Sequence, residues 1–72
     1  MLNKEDIGSK LRDLRQALGM SLLEVSGKVG ITISALAMYE RGERLPRDEV
    51  KVRLARFYNR TVGEIFFGET EH

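Results

Sequence analysis

Cysteine and tryptophan are absent from the 72-residue sequence, and proline occurs once, at position 46. Without cysteine there is no disulfide framework and no thiolate metal site. The one histidine, His72, is terminal and has no second imidazole beside it with which to hold a metal. No apolar run approaches the length that spans a bilayer, and the start carries no signal-peptide pattern. The expectation is therefore a soluble, cytoplasmic protein without a membrane role, and the lack of cysteine suits a reducing compartment. A bulk charge bias is missing too: 12 Lys and Arg stand against 11 Asp and Glu, a formal net of +1. There is no glycine-rich phosphate loop and no metal-ligand cluster, and Asp13, Asp48 and the glutamates fall at solvated or capping positions. Neither an enzyme nor a cofactor is expected.

What is present is helical periodicity. The length suits one domain over residues 1–72, near the lower limit for folding unaided. A small chain without covalent staples relies on compact helix packing or on a partner subunit. Ile7, Leu11, Leu14 and Leu18 recur at spacings of four, three and four, which places them on one face of a first helix that Gly19 ends. Ser21 and Glu24 form a capping-box pattern that opens a second, short helix stopped by Gly30. Gly27 inside it reads as an exposed, tolerated defect costing roughly 1 kcal/mol relative to alanine. Thr32 is the natural N-cap of a third helix and Gly42 its stop. Pro46 suits the first turn of a fourth helix, which Asp48 and Glu49 favour electrostatically and along which Val50, Leu54 and Phe57 form an apolar stripe. Thr61 and Glu64 repeat the capping-box pattern ahead of Ile65, Phe66 and Phe67. Five short helices predict an all-α, compact orthogonal bundle with its core over residues 7–67.

The charges are unevenly placed. Arg41, Arg44, Arg47, Lys51, Arg53, Arg56 and Arg60 crowd into one stretch, opposed there by Glu43, Asp48 and Glu49, while the tail carries Glu64, Glu69 and Glu71. A local basic patch on a near-neutral protein can still grip phosphates, because the field at a surface depends on where the charges sit. Arg53, Arg56 and Arg60 read as a solvated helix face.

Residues 21–41 run helix, glycine turn, helix, which is the geometry of a helix-turn-helix whose second helix can enter a major groove. The segments IGSKLRDLRQALGMS (7–21), LLEVSGKVGIT (22–32), ISALAMYERGERLP (33–46) and LARFYNRTVGEIFF (54–67) carry a more specific likeness. In their order and spacing the chain resembles the Cro and phage-repressor type of regulator, the Xre family, with its lambda-repressor-like fold. The resemblance implies a sequence-specific DNA-binding transcriptional regulator, most often a repressor, that inserts the helix of residues 32–41 into the major groove of a palindromic operator. It also implies a pairing of Arg15, late in the first helix, with Glu40, at the end of the third, as a structural ion pair that reads no base.

By the family's register Leu36 faces inward and Tyr39 at least half inward. Thr32, Ile33, Ser34, Ala37, Met38 and Arg41 then line the outer, groove-facing side. Isoleucine, alanine and methionine there can discriminate through thymine methyl groups, and Ser34 can bond a base edge or a phosphate. No bidentate arginine–guanine or glutamine–adenine pair is available at the helix start, so readout is expected to favour A·T pairs with help from groove shape. Phosphate contacts are assigned to the helix N-termini at Ser21 and Thr32 and to Arg41 and Arg44, with Arg47 and Lys51 extending them. Leu22 stands where many members carry a DNA-touching glutamine and is expected to pack partly inward, with Leu23 exposed. Ile65 or Phe66 is expected to close the core against the fourth helix, and because adjacent residues on a helix cannot face the same way, one of Phe66 and Phe67 is expected to be exposed. The resemblance implies a two-fold dimer contact through this last helix, at Phe66 and Phe67, against the alternative of core packing alone. The competing reading is a protein-interaction domain of the same fold, in which Leu22, Leu23, Ile33, Ala37 and Met38 bind an antitoxin-like or antirepressor-like regulatory protein partner.

Overall fold

The computed structural model describes residues 2–69, so His72 and Glu71 lie outside the described residues. The described chain folds into five helices: α1 Lys4–Ala17, α2 Leu22–Val29, α3 Ile33–Glu40, α4 Asp48–Tyr58 and α5 Val62–Phe66. Local chemistry sets most of the boundaries. Asn3 caps α1 by accepting from the Asp6 N–H at 2.8 Å. Both capping boxes form: Ser21 with Glu24 at α2 and Thr61 with Glu64 at α5, each hydroxyl and each carboxylate taking an amide that the helix itself leaves free. Thr32 caps α3 through the Ala35 N–H. The Ser21 and Thr61 amides hold the Glu24 and Glu64 carboxyls below the ordinary carboxylate range. Gly30 ends α2 in the left-handed region, at φ +82°, where a side chain would be strained.

Two local expectations need correction. Pro46 does not sit in the first turn of α4. The helix begins at Asp48 behind an extended Arg47 that makes no side-chain cap, and buried Pro46 precedes both. Leu18 does not continue the buried face of α1. The helix stops at Ala17 and the chain turns away through Gly19 at φ +66°, which leaves Leu18 out in solvent.

The core is continuous across all five helices: Ile7 and Leu11 of α1, Val25 and Val29 of α2, Leu36 and Tyr39 of α3, Val50, Leu54, Ala55 and Tyr58 of α4, and Ile65 and Phe66 of α5. Phe57, expected in the stripe of α4, is only half-buried, and Tyr58 takes the inward position beside it. The folded unit also reaches further back than residue 7. The Leu2 amide donates to the Phe66 carbonyl at 3.0 Å and the Leu2 side chain packs on the core, so the two ends of the described chain are strapped together. Packing joins α1 to α3 and α5, α2 to α3 and α4, and α4 to α5. In this arrangement α3 is held from behind by α1 and α2, and its other side faces outward.

Candidate nucleic-acid interface

The axes of α2 and α3 turn through 112° at the Gly30–Thr32 connection. That is the angle and the turn length of a helix-turn-helix. The seat of α3 is set by three features of its inner side. Leu36 is fully buried and Tyr39 nearly so. Arg15 of α1 clasps Glu40 with a two-pronged pair, Nε to Oε2 at 2.8 Å and Nη2 to Oε1 at 2.9 Å, while its Nη1 donates to the Met20 carbonyl at 2.9 Å. The hydrogen bonds to Glu40 raise the Arg15 pKa further above its already high value. Fork-on-fork pairing fixes direction as well as distance. Glu40 is only 5% exposed, and Arg12 stands 3.9 Å away as a second, looser cation.

The third feature carries no charge. Gly8 of α1 lies against the end of α3 so closely that a Cβ there would stand 2.4 Å from the Glu40 carbonyl oxygen and 2.8 Å from that of Tyr39. Only a residue without a side chain permits that approach. Gly8 was not singled out from the sequence. The usable signal was a glycine inside an otherwise regular helix, which needs a packing reason.

The outer side of α3 is less uniform than its register suggests. Thr32, Ile33, Ser34 and Arg41 are exposed, whereas Ala37 and Met38 are half-buried. Ile33 is 45% exposed, a large apolar side chain on an outward face. At the start of α2, Leu22 is half-buried against the core and Leu23 is exposed. The N-terminus at Ser21 is already occupied. Its amide donates to the Glu24 carboxylate at 3.0 Å and its hydroxyl accepts from the Glu24 amide. An incoming phosphate would meet that carboxylate first, which weakens the expectation for Ser21. The start of α3 differs, for its first turn carries no acidic residue. The positive end of its dipole is uncompensated there.

Past α3 the chain turns at buried Gly42, φ +73°. Arg44 and Arg47 are exposed and, with Leu45 and Glu49, line a shallow groove floored by Ala35, Tyr39 and Val50. Arg41 is exposed as well, but it pairs with Glu43. Lys51 does not extend this basic edge. It is buried on the far side of α4, 3.5 Å from Asp48 and over the rings of Phe66 and Phe67 at 5.9 and 5.8 Å. Of the two adjacent aromatics expected at a dimer contact, Phe66 is the one that closes the core and offers no side-chain surface to a partner. It is 0% exposed and fills the core, because α5 points it inward, and only Phe67 remains 45% exposed. Among the described residues no group of His, Cys, Asp or Glu is arranged to hold a metal, and no single helix is long and apolar enough to cross a membrane.

A five-helix bundle with a seated, outward-facing third helix defines the helix-turn-helix class. The model of the helix-turn-helix family HTH_3 matches residues 11–65, and the chain belongs to that family, the Xre-type transcriptional regulators. It is 33% identical over 57 residues to the cryptic phage CTXphi transcriptional repressor RstR of Vibrio cholerae, an alignment covering 79% of this chain and 51% of the repressor. It is 38% identical over 52 residues to a Pyrococcus horikoshii protein provisionally named an HTH-type transcriptional regulatory protein, covering 72% of this chain and 16% of the other. The chain thus spans about half of the one relative and about a sixth of the other. In fold it is similar to the clp gene regulator ClgR of Corynebacterium glutamicum, with a TM-score of 0.78 at 22% identity over 93% of this chain and 87% of that one. An HTH_3 family transcriptional regulator from Vibrio cholerae matches with the same TM-score of 0.78 at 26% identity, over 92% of this chain and 37% of that one.

Proposed function

We propose that this chain is a sequence-specific DNA-binding transcriptional repressor that acts as a homodimer, with α3 in the major groove of a palindromic operator. The observation that carries the reading is the state of α3. Its inner side is locked by Leu36, Tyr39 and Glu40, its first turn is free of acid, and Thr32, Ile33, Ser34 and Arg41 are presented outward. Arg41, Arg44 and Arg47 continue from its C-terminal end as the phosphate-gripping edge. Ile33, with half-buried Ala37 and Met38 behind it, would touch thymine methyl groups, and Ser34 a base edge or phosphate. Phe67, flanked by Lys51, is the apolar spot for a two-fold contact. A dimer would set two copies of α3 roughly 34 Å apart, one helical turn of DNA. It would also double the phosphate contacts, which a chain of net charge +1 needs.

The test is selection from a duplex pool, followed by affinity measurements across salt. Three arginines per subunit imply about four to six phosphates neutralised by a dimer and a slope of log K on log salt of about −4 to −5. A shared palindromic, A·T-biased site is the expected outcome. Met38→Ala should alter which site is preferred, whereas Arg44→Ala should weaken all sites about equally. The second reading, docking of a protein partner on the same face, draws support from the exposure of Leu23 and Ile33. No enrichment and a flat salt response would decide for it.

A further inference from the structure

The turn that follows α3 places a carboxylate on the guanidinium best positioned to grip DNA. Arg41 is the C-cap of α3, and its amide donates back to the Ala37 carbonyl. Gly42 then adopts the left-handed conformation, packed so tightly on the first turn of α1 that a Cβ would stand 3.0 Å from the Glu5 Cα. The Glu43 amide returns to the Met38 carbonyl at 2.9 Å. This turn brings position 43 back beside position 41. The Glu43 carboxylate accepts from Arg41 Nε at 2.7 Å and from Nη2 at 3.3 Å. The two side chains are each 52% exposed, so the pair is open to solvent and to an incoming polyanion.

We infer that Glu43 acts as an internal substitute for a DNA phosphate, holding the binding edge of the Arg41 guanidinium and lowering affinity for duplex of any sequence until the pair opens. The inference rests on the DNA-binding reading and refines it. A carboxylate and a phosphate present the same paired oxygens to the Nε and Nη2 edge of an arginine, so they compete for it. The pair also removes one positive charge from an edge that otherwise holds only Arg44 and Arg47. Hydrogen bonds from Arg41 hold the Glu43 carboxyl below its ordinary range, so the clasp stays ionised at neutral pH. An exposed pair of this kind is weak, and its competitive effect is correspondingly up to about fivefold. The consequence is a protein whose grip on duplex of any sequence is damped by the same factor, with the choice among sequences left to the rest of α3.

The experiment measures binding of the whole chain to a fluorescein-labelled mixed-sequence duplex by anisotropy, across a salt series. The proteins compared are the wild type, Glu43→Gln, Arg41→Ala and the double variant. Glu43→Gln should tighten binding about threefold to fivefold and steepen the salt slope by about one. In the Arg41→Ala background the same change should give less than about a twofold gain, the residue of removing one distant negative charge. An equal gain in both backgrounds would show a general charge effect and overturn the inference. Unchanged or weaker binding by Glu43→Gln would overturn it too, by making Glu43 a support that aims Arg41. Either result would leave DNA binding itself standing. Failure of wild type and Glu43→Gln alike to bind duplex would remove both readings together.

Discussion

Replacing Gly8 with alanine and Gly27 with alanine makes the same chemical change in two helices and should move stability in opposite directions. Both gain helix propensity, about 1 kcal/mol for glycine to alanine in a helix interior. At Gly27 nothing lies within 4 Å of the added Cβ, so the gain is unopposed. Part of it comes from a stiffer unfolded chain, and about 0.5–1 kcal/mol of stabilisation is expected. At Gly8 the added carbon meets backbone on the facing helix, the Glu40 oxygen at 2.4 Å, the Tyr39 oxygen at 2.8 Å and the Glu40 carbon at 2.9 Å. Backbone inside a helix cannot rotate aside, so α1 and α3 must separate. Overpacking of this severity costs about 3 kcal/mol. Set against a gain of about 1, it leaves a net loss of about 2 kcal/mol. For a chain of this size each kcal/mol shifts the melting temperature by about 4–8 °C. Thermal and urea unfolding followed by circular dichroism would read both variants. Gly27→Ala should melt a few degrees higher and Gly8→Ala about 10 °C lower, from the arithmetic just given. A Gly8→Ala protein as stable as wild type would mean that α1 and α3 are not in backbone contact, and the seating of α3 described above would be wrong.

Glu40→Ala strands a half-buried Arg15 guanidinium and should cost about 3 kcal/mol by urea unfolding; an unchanged midpoint would reduce the pair to two solvated charges. Tyr58→Phe removes a buried hydroxyl that has no hydrogen-bond partner among the described residues, and near neutrality it should be neutral or stabilising by about 1 kcal/mol. Burial first, and the Glu40 charge second, push the Tyr58 hydroxyl from 10.0 up to about 12, so the folded state holds that proton more tightly than the unfolded state does. Its contribution is therefore complete below pH 10 and lost as pH rises toward 12, and wild type should lose stability relative to Tyr58→Phe across that window; parallel curves would place the hydroxyl in water. Phe67→Ser removes an apolar side chain that is 45% exposed in the monomer, so it should lower dimer content in sedimentation while leaving helicity unchanged; an undiminished dimer would move the two-fold contact elsewhere.

The helices were legible because their ends are chemically marked. Ser21, Thr32 and Thr61 each cap the helix they were expected to open, and Gly30 and Gly42 each close one. Periodicity was less reliable at the margins. Leu18 fits the spacing of Ile7, Leu11 and Leu14, but one residue past a helix end the spacing no longer describes direction. At α4 the proline rule gave the wrong turn because Pro46 constrains its own φ and its predecessor's conformation, not the point at which hydrogen bonding begins. Lys51 was misread for a different reason. A lysine at a register position that faces the core can bury its stem and lay its ammonium over aromatic rings, and no periodicity in charge alone reveals that.

The same distinction separates what is legible in α3 from what is not. Its inner side answers to the rest of this chain, and each inner residue has a physical counterpart that the sequence also contains: Glu40 has Arg15, Leu36 has the core, and the Tyr39–Glu40 backbone has the bare Cα of Gly8. Those constraints are internal, and pattern and family likeness bring out the first two, while Gly8 shows its role only in the packed structure. Its outer side answers to a partner outside the chain. Ile33, Ser34, Ala37 and Met38 satisfy no internal requirement that would force their identity, which is why they suit a thymine-rich groove and an apolar protein surface about equally well when read alone. Charge narrows the choice of partner more than apolarity does. The first turn of α3 carries no acid when those of α1, α2, α4 and α5 all do, and Arg44 and Arg47 lie beyond its end. Both features favour an anionic partner over a neutral apolar one, which is the property that the proposed DNA and an acidic protein surface share and that the salt series and duplex selection tell apart.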